Sequence, residues 1–507
     1  MRVRSTLVLA AVCVLVTLGV PSVAFAGAAP RALMAALAVP QAQLVTTAGA
    51  AGDGFGSAIA VSGDTAVVGA SGYAGGQGAA YVFVRGVHGW AQQQRLVLSA
   101  AAAGDYFGSS VAIDGDTAVI GAYDAGEGTG AAYVFVRSGG VWTQQQELVP
   151  SDAAEYDFIG SAVAVHGDTA LIGANGSFFS PGAAYVFTRS GTGWTQQAKL
   201  TADSPAAADA FGCAVSMDAS TAVIGALGEG AAYVYTYAGG DWNEQQRLTT
   251  PTAVDDWYGY AVGLSGETAM VGAWGAPVGA NADQGVAYVY TRSGAVWTQT
   301  QELSAGGGAA NDHFASTLCL AGNTAVIGAG ESNGAVGMAY VFRQAGGVWL
   351  QQQRLAATDG AAGDYFGGTI GLSGGTALVG APNHAVGGNA GQGTVYLLTL
   401  RTRPLLDTPR CPRHVRPGQT FAVTGEILPR FESGEVTVLV KVYHEVGRRW
   451  LYYGLRRGTD VAAPTFDTYS VPVTIDRAGT YRFRTIVDGV ALWYRAASTP
   501  SNAVTVR

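Results

Sequence analysis

Short apolar runs broken by glycine recur from residue 53 to residue 381, and the phrase DYFGSSVAIDGDTAVIGA at residues 105 to 122 is one of seven near-copies. In each copy an apolar stretch meets a turn such as Ser62-Gly63-Asp64, and a second stretch such as Thr65 to Val68 ends in Gly-Ala. Two apolar runs joined by a tight glycine turn predict a β-hairpin. A variable glycine-rich loop then leads to Gly-Ala-Ala-Tyr-Val-Phe (residues 78 to 83, 130 to 135 and 182 to 187), a third strand rich in aromatic and β-branched residues. After a second turn comes tryptophan with a glutamine-rich tail, as in Trp142-Thr143-Gln144-Gln145-Gln146-Glu147-Leu148, which predicts a fourth, more polar strand.

One aspartate keeps the register: Asp53, Asp105, Asp157, Asp209, Asp256, Asp312 and Asp364, at spacings of 52, 52, 52, 47, 56 and 52. Two residues after each stands a bulky side chain (Phe55, Phe107, Ile159, Phe211, Tyr258, Phe314, Phe366), followed in six of the seven units by glycine. Four short strands repeated at this period match the radial repetition of a β-propeller. The small apolar run Ala58-Ile59-Ala60-Val61 suits an inner strand near the axis, and the glutamines suit an outer strand facing water. Trp90, Trp142, Trp194, Trp242, Trp297 and Trp349 mark six fourth strands for seven units, and the last unit stops at Tyr396-Leu397-Leu398-Thr399-Leu400. The segment Gln41-Ala42-Gln43-Leu44-Val45, ahead of the first unit, looks like the tail of a fourth strand. It is expected to pair onto the last blade and close the ring, which removes an open edge. The expected fold class is all-β: a seven-bladed β-propeller closed by an N-terminal strand, followed by a small β-sandwich.

The recurring Phe-Gly and Gly-Ala pairs, with Gly380-Ala381-Pro382 in the last unit, resemble the FG-GAP repeat of the integrin α-subunit propeller over residues 41 to about 400. The resemblance implies an extracellular adhesion or recognition module whose ligands approach the face formed by the loops before the first strand and after the second. In that family several blades bind calcium in a long Asp-rich loop between the first and second strands. Here that connection holds only three residues, such as Asp114-Gly115-Asp116 or His166-Gly167-Asp168. Calcium needs about six to eight oxygen ligands, usually from a loop of about a dozen residues. The Asp-Gly-Asp sequence is therefore read as a hairpin turn, the Asp53 series as turn-fixing, and neither metal nor cofactor is expected.

The chain ends divide differently. Arg2 and Arg4, an apolar run from Leu7 to Val20 and Ala24-Phe25-Ala26 read as a signal peptide over 1 to 26, with a linker at 27 to 40. Cys13 lies inside that run behind Val12, which does not suit a lipidation site. Pro404, Pro409, Pro412 and Pro417 break the repeat, giving a linker at 401 to 414. Alternating runs such as Val436 to Tyr443 and Gly479 to Val487 suggest an immunoglobulin-like sandwich over 415 to 507. Residues 41 to 400 hold 9 Lys/Arg and 27 Asp/Glu, a balance of −18, whereas 401 to 507 hold 16 and 9, a balance of +7. Such a basic domain could rest on an anionic envelope polymer. Three cysteines remain after cleavage (Cys213, Cys319, Cys411), an odd number that rules out complete internal pairing.

In a repeat protein, function is expected where units depart from their own pattern. The loops after the second strands vary most: Phe178 and Phe179 lie in one, Trp274 in another, Asn383 and His384 in a third, while Trp257 and His313 intrude before first strands. These loops share a face that carries 17 of the 27 acidic residues, and aromatics beside carboxylates suit carbohydrate or basic peptide ligands. The histidines show no metal spacing, and no nucleophile elbow or phosphate loop occurs in context. The expectation is a secreted or cell-surface, non-enzymatic binding or adhesion protein. It would be a monomer, with no transmembrane helix and no nucleic-acid partner, recognising an extracellular protein or glycan. The alternatives are a polysaccharide hydrolase or lyase on the same scaffold and a structural envelope protein.

Overall fold

The structure is a computed structural model that describes residues 42–46, 48–176, 180–250, 256–345, 347–373, 375–400, 405–406, 410–428, 436–446, 449–462, 467–489, 495–497 and 504–506. The expected signal peptide, the 27–40 linker, Gln41, Phe178 and Phe179 lie outside the described residues. No helix among the described residues is long and apolar enough to cross a membrane.

Residues 42 to 400 form seven four-stranded antiparallel sheets arranged as the blades of a propeller. Blade 1 runs Phe55–Ser62, Thr65–Ala70, Ala79–Gly86 and Gly89–Leu96, and the next five blades repeat that order. Blade 7 takes three strands from the end of the repeat region (Thr369–Ser373, Thr376–Ala381, Thr394–Thr399) and its fourth from Ala42–Leu44. The register is Ala42 opposite Leu397, Gln43 opposite Tyr396 and Leu44 opposite Val395. Leu44 is buried, and Gln43 Nε2 donates to Asp359 Oδ2 at 2.8 Å. Closure from the other end of the chain is thus as the sequence leads one to expect.

First strands pack side by side around the axis, and the last, Thr369–Ser373, lies against the first, Phe55–Ser62. At each seam the glycine of Gly-Ala in one blade meets the residue after the bulky side chain in the next. A Cβ on Gly69 would overlap the carbonyl oxygen of Gly108, one on Gly121 that of Gly160, and one on Gly173 that of Gly212. The same holds for Gly225 with Gly259, Gly272 with Ala315, Gly328 with Gly367 and, at the closing seam, Gly380 with Gly56. The two signature glycines are therefore one contact, backbone on backbone, between neighbouring blades. The second strands that carry them are almost wholly buried, as in Thr117–Ala122.

The glutamines of the fourth strand do more than face water. Gln146 Nε2 donates to Trp194 O at 2.7 Å, Trp194 N donates to Gln146 Oε1 at 2.7 Å, and Trp194 Nε1 donates to Gln145 Oε1 at 2.9 Å. Each blade so joined grips the edge strand of the next through both backbone groups of its tryptophan. Gln94 does the same to Trp142, Gln246 to Trp297 and Gln301 to Trp349. These four tryptophans are 2 to 3% exposed. Where alanine holds the gripping position, at Ala198 before Trp242 and at Ala42 before Trp90, the tryptophan is only partly buried.

The turns form a third tie. Asp114 Oδ2 accepts the Gly167 N–H of the next blade's turn at 2.7 Å. Asp116 binds Arg137 Nε at 2.6 Å, while Arg137 Nη1 donates to Thr65 Oγ1 of the preceding blade at 2.9 Å and its guanidinium lies 5.2 Å from the Trp142 ring centroid. Arg85, Arg189 and Arg292 repeat this arrangement. Gly115, at φ +57°, supplies the left-handed residue the turn requires.

The C-terminal residues form one nine-stranded sheet in which Arg449–Ala462 pairs Val436–Val446 along most of its length and Asp467–Thr474 at its end. Phe421, Val423, Val440, Val442, Val471, Val473, Tyr481 and Phe483 share its core. Pairing begins inside the expected 401 to 414 linker: Leu405–Leu406 pairs with Ile427 and Leu428, and Arg410 exchanges two backbone hydrogen bonds with Thr424. Of the prolines that suggested a linker, Pro404 and Pro409 lie outside the described residues, and Pro412 and Pro417 follow Arg410.

The grip can be tested by making it and breaking it. Ala198→Gln should add a grip on Trp242 and stabilise by about 1 kcal/mol, whereas Gln146→Ala should cost about 1 to 3 kcal/mol by leaving the Trp194 backbone groups unpaired. Denaturant titration of the two variants checks both signs.

Candidate functional site

The face built from the loops before first strands and after second strands is organised by the residue between each aspartate and its bulky partner. In all seven blades this residue is left-handed: Gly54, Tyr106, Phe158, Ala210, Trp257, His313 and Tyr365 have φ between +52° and +63°. For a non-glycine residue that conformation costs about 1 to 2 kcal/mol. Local hydrogen bonds impose it. The Asp105 carboxylate accepts from Ala102 N at 2.7 Å, and Tyr106 N donates to Gly76 O of the preceding blade at 2.8 Å. The same carboxylate turn occurs at Asp53, Asp157, Asp209, Asp312 and Asp364. The aspartate series therefore fixes backbone, and the residue after it is presented on the loop face.

Its neighbour on that face is the residue after Gly-Ala. In blade 5 both are tryptophan: Trp257 and Trp274 stack with centroids 5.2 Å apart and planes at 17°. Tyr260 meets the Trp274 edge at 6.0 Å, and His313 of blade 6 lies 4.4 Å from Trp274. His313 Nδ1 is 3.1 Å from Glu331 Oε2. Trp257 remains 43% and Tyr260 41% exposed, so the stack is open to a ligand on one side. Trp274 is half-buried and holds Trp257 in place; its Nε1 has no hydrogen-bond partner.

Three of the expected site residues, Trp257, Trp274 and His313, thus come together across blades 5 and 6. Asn383 and His384 do not join them. Asn383 is exposed in blade 7. His384 turns inward: Nδ1 lies 2.8 Å from Asp364 Oδ2 and its ring 6.2 Å from the Tyr396 ring, which makes it a tie for its own loop rather than a presented group. Tyr260 and Glu331 were not anticipated. Neither was a second aromatic group in blades 2 and 3. There Tyr106 and Tyr123 stack at 5.4 Å and 5°, Phe158 meets Tyr123 edge-on, and Tyr156 is 52% exposed. Aligning the seven units on the residue after the register aspartate would have found Tyr106, Phe158 and Tyr365 from the sequence.

Cys213 and Cys319 are free thiols. Cys213 Sγ donates to Gly259 O at 3.5 Å, and Cys319 packs against the blade 6 and 7 core. Desolvation pushes the Cys213 thiol up to about 12 and Cys319 up to about 11. Among the described residues no three His, Cys, Asp or Glu side chains are placed to hold a metal ion.

The FG-GAP repeat family matches seven stretches: 39–83, 90–135, 142–187, 194–235, 242–290, 297–342 and 349–398. From the second onward each begins at or beside a fourth-strand tryptophan and ends near the third strand of the following blade, so the sequence repeat is offset from the blade by one strand. No curated protein matches the chain. Among solved structures, a protein assigned as a 6-phosphogluconolactonase from Bacteroides fragilis is similar over 61% of this chain and 86% of its own, at 12% identity and a TM-score of 0.44. A CARDB domain from Pyrococcus furiosus, in complex with di-metal ions, covers 20% of this chain and 87% of its own at 14% identity and a TM-score of 0.15. A superoxide reductase from Ignicoccus hospitalis covers 21% and 81% at 14% and 0.14. TM-scores this low carry no argument about this chain.

Two outcomes follow from this geometry. Calcium and a chelator should leave the melting temperature unchanged, because the turn carboxylates are committed to arginine and to backbone N–H groups; a calcium-dependent rise would overturn that assignment. Because their pKa values lie above the ordinary thiol value of 9.0, Cys213 and Cys319 stabilise the fold fully below that pH. That contribution is lost as pH rises toward about 11 and 12. At pH 8 a thiol reagent should label these two positions only after unfolding, as mass spectrometry of digested protein would show.

Proposed function

This chain belongs to the FG-GAP repeat family, and we propose that it is an exported, non-enzymatic binding protein that recognises an extracellular protein or glycan through the loop face of its propeller. One observation carries the reading. A stacked tryptophan pair, bordered by Tyr260, His313 and Glu331, keeps Trp257 exposed at the blades where the repeat departs from its own pattern. An exposed aromatic held by a second one, with a carboxylate nearby, offers a flat apolar platform with a hydrogen-bonding rim, which suits a sugar ring or a peptide side chain. The left-handed backbone under Trp257 supports the same reading. Blade 1 places glycine, the unstrained choice, at the same position, so the fold does not require a tryptophan there.

Export rests on the apolar N-terminal run and its small-x-small site, and on the extracellular setting typical of FG-GAP repeats. We read the C-terminal sheet as an immunoglobulin-like sandwich that presents the propeller, its net charge of +7 suiting an anionic envelope polymer.

Trp257→Gly tests the site against a packing role. Glycine relieves the left-handed strain, so the melting temperature should stay within a few degrees while binding on a glycan and peptide array falls at least about tenfold. Equal binding by the variant, or turnover of an array polysaccharide by the parent, would refute the proposal.

A further inference from the structure

A cavity at the outer end of blade 2 gains its meaning from the blade beside it. In blade 3, Lys199 of the fourth strand stands opposite Tyr185 of the third; its Nζ lies 5.4 Å from the Tyr185 ring centroid and 2.6 Å from Asp152 Oδ2. Arg95, Arg247 and Arg354 hold the Lys199 position in blades 1, 4 and 6, each opposite the corresponding tyrosine. In these four blades the chain places a cation of its own beside the ring.

Blade 2 departs from this arrangement at both ends. The residue opposite Tyr133 is Glu147, and the position of Asp152 is taken by Ala100. Where blade 3 has its ion pair, blade 2 has a cavity of about 570 Å³ lined by Tyr133, Glu147, Asp105, Gln144, Thr129 and Ala100 among others, with no Lys, Arg or His in its wall. Tyr133 donates its hydroxyl to Glu147 Oε1 at 3.0 Å, which engages one carboxylate oxygen; among the described residues no hydrogen bond to the other is found. Asp105 uses one oxygen for its turn. The ring is the counterpart of the one beside Lys199, but here a carboxylate stands at the position of the cation and Asp105, the counterpart of Asp157, lines the same wall.

We propose that this cavity binds an alkylammonium group, from a lysine side chain or a free aliphatic diamine, with the ammonium on Glu147 and the methylene chain along Tyr133. Asp105 adds a second negative charge to the wall. A cation beside an aromatic ring and a carboxylate is attracted by both. The volume lies within the range of small-molecule pockets and exceeds what a bare ion would need.

Isothermal titration of the full chain with 1,5-diaminopentane and with Nα-acetyl-lysine methylamide tests this. Saturable binding of either amine, weakening as salt rises, is expected. The amine that binds more tightly identifies the source of the ammonium. Glu147→Lys should refill the cavity as in blade 3 and weaken binding at least about tenfold, while Glu147→Gln, which removes only the charge, should weaken it in the same direction. The double variant Ala100→Asp, Glu147→Lys rebuilds the ion pair and should bind neither amine at an undiminished melting temperature. Absence of binding by the parent, or equal binding by Glu147→Gln, overturns the proposal, as does a preference for calcium over both amines. The inference stands apart from the tryptophan platform, since Trp257→Gly should leave amine binding intact, and the two readings therefore fail separately.

Discussion

The architecture depends on one close approach, repeated at each seam: the backbone of Gly-Ala in one blade rests on the backbone after the bulky residue of the next. Any side chain at Gly121 would strike the Gly160 carbonyl, and the closing seam makes the same demand of Gly380 and Gly56. Such a contact leaves little room for adjustment, because a carbonyl in a sheet cannot swing away as a long side chain can. The signature glycines are therefore a statement about neighbouring blades. Their consequence reaches outward: with the inner strands in contact, the second strands are sealed, and the tryptophan of each fourth strand comes within reach of the preceding blade's glutamines.

From rim to axis the seams are tied by three kinds of bond that differ in robustness. Backbone contact near the axis is common to every blade. The turn network of Asp116, Arg137 and Thr65 is exposed and contributes modestly, since surface ion pairs are screened by water and salt. The glutamine grip at the rim is the most variable. It is doubled at Gln145 and Gln146, reduced at Thr300 and Gln301, where Trp349 Nε1 lacks a partner, and without its backbone half at Ala198. Variation at the rim is affordable because each seam is already held at its inner end.

The same logic explains how one scaffold carries different surfaces. Hydrogen bonds from the aspartate turn and from the preceding blade hold the following residue left-handed whatever its side chain, so that position can change without disturbing the fold. Glycine, alanine, phenylalanine, tyrosine, histidine and tryptophan all occur there. Blades 2 and 5 depart furthest, with paired aromatics on the loop face and glutamate, Glu147 or Glu302, where four other blades have a cation.

Period, strand order, blade number and the borrowed strand at Leu44 were legible in the sequence, because each follows from the count and phase of a repeat: six tryptophans for seven aspartates leave one strand owing. The residues of the loop face were legible only in part. Trp257 and His313 stood out as departures from pattern, but nothing linear places His313 beside Trp274, or turns His384 inward to Asp364. Those relations join residues from different strands or blades, and spacing along one chain is silent about distance across a seam. The glutamines show the division most plainly. Composition placed them on an outward-facing strand, where half of their role lies, and only the packing of one sheet against the next shows that their amides reach the backbone of a tryptophan about 50 residues further on.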